Sequence, residues 1–71
     1  MIDYSTFTEE ALQARLKDLI QDHADLDLSI QALSLAPLPD LIVIGRLKRK
    51  KLALKDEIVR IEEFLTPDII A

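Results

Sequence analysis

The sequence predicts an all-α fold, an antiparallel two-helix hairpin of coiled-coil character, and three observations carry that expectation. Two apolar seams run at alternating spacings of three and four residues, the pattern of helices that pack along one stripe. One Pro-containing segment, Leu35-Ala36-Pro37-Leu38-Pro39-Asp40, separates them, and so short a connection requires the helices to lie antiparallel. Of 71 residues, 49% are hydrophobic and only 4% aromatic, with a single Gly, a Leu/Ile-rich balance that suits long helices better than a sheet.

The first helix is expected over about residues 9–36. Thr8 as N-cap places Glu9 and Glu10 at the positive end of the helix dipole, with Phe7 and Leu12 as a hydrophobic staple. Thr6 with Glu9 reads as a capping box and competes for the start. The seam is Leu12, Leu16, Leu19, His23, Leu26, Ile30 and Leu33, and His23 is its one polar member. A helix of this length spans roughly 40 Å, more than intrinsic propensity sustains without a partner.

The loop is expected at about 37–40, since each Pro removes a backbone donor and restrains its predecessor, and Asp40 is a good N-cap for the second helix, about 41–65. The second seam is Ile44, Leu47, Lys51, Leu54, Ile58, Ile61 and Leu65, again with one polar member, Lys51. Thr66-Pro67 stops it and leaves a short tail, 66–71. A reversal near residue 37 sets His23 beside Lys51, so that the two polar interruptions form one layer. In that layer Lys51 extends its ammonium to the edge and His23 hydrogen-bonds locally, with Asp27 as candidate; the layer also penalises slipped registers.

The net charge of −4 argues mildly against indiscriminate binding to nucleic acid or membrane surfaces. Its distribution says more. Residues 1–40 hold eight acids and two bases, a balance of −6, and residues 41–71 hold seven bases and five acids, a balance of +2. The hairpin lays these halves together, with Asp27 and Lys48 on one flank of the seam, Asp22 and Lys50 on the other, and Arg15 and Glu57 further along. Exposed pairs contribute about 0–1 kcal/mol each, but together they disfavour wrong registers. Arg46 and Arg49, with Lys50 at the border, point outward and form the candidate surface for a partner or for nucleic-acid phosphate. With no interleaved aromatics to stack on bases, nucleic acid is the weaker reading.

One hairpin does not account for all the apolar surface. Leu41, Ile42, Val43, Leu52 and Val59 are left over, next to Gly45, and patches of this kind mark association surfaces. A chain this short needs a disulfide, a metal or a partner for useful stability. It has no Cys and one His, which leaves no disulfide and too few ligands for a tetrahedral zinc. Self-association is the expected route, with a homodimer forming a four-helix bundle favoured over higher oligomers; an unidentified protein partner is the other candidate for that surface. The four acids Glu9, Glu10, Glu62 and Glu63 meet at the open end, which is expected to fray or to be met by bases from another chain.

No catalytic, cofactor or metal motif appears. His23 with Asp22 or Asp27 lacks a nucleophile and a cleft, and Asp18, Asp22 and Asp25 lie on one helix without the Gly-turned loop of an EF-hand. The expected class is therefore non-enzymatic, without cofactor. Met1-Ile2-Asp3-Tyr4-Ser5 lacks the basic and apolar regions of a secretory signal, and no apolar run approaches a membrane span, so a cytoplasmic protein is expected, with no membrane partner.

The segments His23-x-x-Leu26-Asp27-x-x-Ile30, Asp40, and Leu47-Lys48-x-x-Lys51-Leu52-x-Leu54-Lys55-Asp56-Glu57-Ile58 resemble the YdcH-like family of small bacterial proteins. The likeness covers about residues 9–65, and the sequence departs from the family at Gly45 and the apolar Leu41-Ile42-Val43-Ile44, where relatives are more polar. The resemblance implies a cytosolic helical hairpin or coiled coil and no assigned biochemical activity. The function expected is that of a structural or adaptor protein mediating protein–protein interaction, with a small nucleic-acid-associated protein as the alternative.

Overall fold

The computed structural model describes residues 4–66; residues 1–3 and 67–71, and with them nearly all of the expected tail, lie outside the described residues. A 3-10 turn, Tyr4–Thr6, leads into helix α1, Glu9–Ser34, and helix α2, Leu41–Leu65, returns along it. Two side-chain bridges, Arg15 to Glu57 and Asp27 to Lys51, span the pair in descending order and fix the antiparallel sense. The hairpin is thin, with principal extents of 46 × 26 × 19 Å.

Both helix starts follow from their caps. Thr8 has extended backbone angles (φ −73°, ψ 157°), and its hydroxyl accepts from the Ala11 N–H at 3.0 Å, satisfying one of the donors that a helix start leaves open. Thr6, the competing cap, belongs to the 3-10 turn. At α2, one Asp40 carboxylate oxygen accepts from the N–H groups of Ile42 and Val43, both at 3.1 Å.

The end of α1 comes two residues earlier than residue 36, so that the connection takes in Leu35 and Ala36 as well as 37–40. The last turn tightens. The Leu35 N–H is shared between the Gln31 and Ala32 carbonyls at 3.3 Å, and the Ala36 N–H reaches the Leu33 carbonyl, the shorter bonding of a 3-10 end. Pro37 restrains Ala36 from helical angles, and the Ser34 hydroxyl bonds back to the Ile30 carbonyl at 2.7 Å. α2 ends at Leu65 with Thr66 as its C-cap, whose N–H still reaches the Glu62 carbonyl; the following Pro67 has no donor to continue the ladder.

Every seam position of both helices is buried or half-buried. The apolar packing is uneven along the hairpin. Leu12, Leu19, Ile58 and Ile61 form a cluster at the open end, backed by Leu16, Leu54 and Leu65. Ile30 and Ile44 are buried nearer the turn and outside that cluster, and the positions of His23 and Lys51 fall between the two groups.

At the open end the 3-10 turn packs back on the helices and places Tyr4, only 9% exposed, into the core cluster. The Tyr4 ring stands edge-on to Phe7 at 6.3 Å and lies 6.0 Å from Phe64, distances at which aromatic pairs add to simple burial. Glu9, Glu10, Glu62 and Glu63 are all exposed there, where water and salt screen their repulsion.

Candidate functional site

Asp27 makes a polar contact between the two helices. Lys51, a seam position, carries its long stem out to the flank, and its ammonium donates to one Asp27 oxygen at 2.9 Å; the other oxygen accepts from Gln31 at 3.1 Å. The hydrogen bond and charge of Lys51 hold the Asp27 carboxyl below the usual carboxylate range, helped by Gln31 and by the charge of His23. The pairing expected from flank positions, Asp27 with Lys48, is not the one formed. Lys51 reaches Asp27 because a lysine on a seam extends toward water rather than inward, and Lys48 stays exposed. The hydrogen bonds to Asp27 come from Lys51 and Gln31 and, among the described residues, not from His23, the local partner expected.

On the opposite flank the Arg15 Nε–H donates to one Glu57 oxygen at 2.9 Å, and Arg15 Nη2 forms an ion pair with the same oxygen at 2.9 Å. Asp22 and Lys50 line the same shallow groove, about 490 Å³ in volume, together with Asp25, Leu26, Ser29 and Glu57. They make no ion pair there: the three ion pairs among the described residues are Arg15–Glu57, Lys51–Asp27 and Arg60–Asp56. Among the described residues no group of three or more His, Cys, Asp or Glu is placed to hold a metal ion, and Asp18, Asp22 and Asp25 do not form one.

The outward bases stand as positioned cations. Arg46, Arg49 and Lys50 are all exposed and none takes part in an ion pair among the described residues. The leftover apolar residues Leu41, Ile42, Val43, Leu52 and Val59 are exposed too, but they do not share one face. At about 100° per residue, Leu41, Leu52 and Val59 align along α2, Ile42 lies to one side, and Val43 falls on the opposite side, toward the groove that Lys50 lines. The most exposed apolar side chains sit around the turn: Leu38 at 92%, Leu35 at 85%, Leu41 at 76% and Ile42 at 71%. Gly45 lies on the Leu41–Leu52–Val59 stripe, and a Cβ added there would meet nothing within 4 Å, so packing within the hairpin does not require glycine.

These features define a class: an all-α hairpin whose helices are joined by crossing ion pairs, and whose outer surface mixes apolar side chains with unpaired charge. The chain belongs to the family described as a protein of unknown function (DUF465), whose model matches residues 14–62, in keeping with the YdcH-like resemblance. The matched span contains His23, Asp27 and Lys51 and begins after the Tyr4 turn. No curated protein and no solved structure matches the chain. No helix among the described residues is long and apolar enough to cross a membrane.

Proposed function

We propose that this protein is a non-enzymatic, cytoplasmic structural or adaptor module that self-associates as a homodimer, pairing two hairpins into a four-helix bundle, and mediates protein–protein interaction. The observation that carries the reading is the amount of apolar surface left uncovered, from Leu35 and Leu38 at the turn to Leu52 on α2. Leu41, Leu52 and Val59 align along one side of α2 and the turn adds further exposed leucines, surface that favours association, and a chain of this size gains stability from a second one. The test is light scattering behind size exclusion at micromolar concentration. The reading expects about twice the chain mass of 8.1 kDa; the single-chain mass with full helicity would sink it.

A second reading is kept because Arg46, Arg49 and Lys50 are exposed and unpaired: a small nucleic-acid-associated protein that uses them on phosphate. It requires binding to generic DNA or RNA that weakens steeply with salt and is lost in the Arg46→Glu/Arg49→Glu variant. No salt-dependent retention would remove it.

A further inference from the structure

Helix α2 carries its unspent charge in two separated blocks. Lys51 is committed to Asp27 and Glu57 to Arg15. What remains exposed is basic over Arg46, Lys48, Arg49, Lys50 and Lys55 and acidic at the end, at Glu62 and Glu63; none of these is in an ion pair among the described residues. The two bases Lys48 and Arg49 stand fourteen residues before the two acids, close to four helical turns, so these blocks occupy the same outer face. Between them on that face lie Leu52 and Val59, both exposed.

This arrangement is complementary to its own reverse. If a second α2 is laid antiparallel on the first, with Leu52 of each chain opposite Val59 of the other, both basic blocks meet acidic blocks. Lys55 and Asp56 of the two chains then gather at the twofold axis, two of each sign. A slip of one heptad, with Leu52 on Leu52, instead sets Arg49 against Lys55 and Glu62 and Glu63 against Ile42 and Leu41. Isologous contacts of this type require such self-complementarity, and opposed charges fix register more than they add affinity.

We infer that the outer face of α2 is a docking surface for a second copy of this chain, joined antiparallel by a Leu52–Val59 contact and flanked by Lys48 and Arg49 against Glu62 and Glu63 of the other copy. The inference rests on the self-association proposed above and adds its face and register.

Two charge-reversed chains test it, Lys48→Glu/Arg49→Glu and Glu62→Lys/Glu63→Lys. Each alone faces like charge in this register, whereas a heterodimer of the two restores both contacts. Native mass spectrometry of the mixture is expected to show heterodimer favoured over either homodimer by about tenfold or more. Circular dichroism on each chain checks that the hairpin is intact. A second measurement does not depend on charge: Leu52→Cys chains mixed with Val59→Cys chains are expected to oxidise to the mixed disulfide in preference to either symmetric one.

If the wild-type chain dimerises but the mixture is statistical and the mixed disulfide is not preferred, self-association stands and this face is wrong. A monomeric wild-type chain overturns both. Retention of generic DNA that is lost in Lys48→Glu/Arg49→Glu, with chain mass unchanged, assigns the basic block to nucleic acid and overturns the docking surface.

Discussion

The Lys51 ammonium lies 2.9 Å from an Asp27 carboxylate oxygen and joins the two helices between the open-end cluster and Ile44. The bridge is partly exposed, with side-chain exposures of 29% for Lys51 and 43% for Asp27. Such a bridge is expected to add little stability, since exposed pairs contribute little and a pair taken into an apolar seam is often matched by hydrophobic replacements.

Lys51→Leu is accordingly expected to raise the melting temperature, by about 2–5 °C. The new side chain continues the apolar seam between the open-end cluster and Ile44, and Asp27 stays hydrated. Thermal melts followed by circular dichroism decide this. A fall of several degrees with helicity intact would mean that the bridge, and not the seam, governs stability at that level.

The Asp27 carboxyl gives the bridge a pH signature. Its folded-state pKa lies below the unfolded value, which is about 3.9 for an aspartate, so the folded state binds the proton more weakly. The stabilisation is fully present above the unfolded value and is lost as pH falls through the folded one. Wild type is thus expected to hold its advantage over Asp27→Asn at about pH 5 and to lose it as the pH falls into stronger acid. A difference that stays constant down to pH 2 would remove Asp27 as the source.

Ile61 is fully buried and Leu12 nearly so. Truncating either to Ala is expected to cost about 2–5 kcal/mol, a large share of what so small a fold holds. Denaturant titration should show a much lower midpoint or no cooperative transition.

Tyr4→Ala tests the turn that packs on the open end. Losing the ring from the core cluster and from Phe64 is expected to cost about 1–3 kcal/mol, with amide exchange rising first in the opening turns of α1. An unchanged melt would show that the 3-10 turn contributes nothing.

Gly45→Ala is expected to stabilise the hairpin by about 1 kcal/mol through helix propensity, because a Cβ there meets open space. A destabilised variant would point to a close approach at that position by another chain.

Much of the fold was legible because it is written in periodicity. Each seam residue expected from the three-and-four spacing is in the helix pair, and Thr8 and Asp40 cap the helices because their short oxygens reach the open N–H groups. Two features were not legible. Tyr4 stands outside either seam, so no helical period could place it; the available signal was that Tyr4, Phe7 and Phe64 are the only aromatic residues and all map to one end of the hairpin. The partner of Asp27 depends on where a flexible lysine stem leads, which heptad position alone does not fix. The same freedom explains Asp22 and Lys50, which flank one groove without forming a pair.

On the proposed reading this hairpin is half of an assembly, with folding coupled to association through the surface left uncovered. Its most direct test is the melting temperature of the wild-type chain measured from micromolar to submillimolar concentration, because coupling to a second copy makes that temperature depend on concentration. A rise of several degrees across the range, with one cooperative transition, is the result expected. A melting temperature independent of concentration, with helicity intact at the lowest, would contradict it.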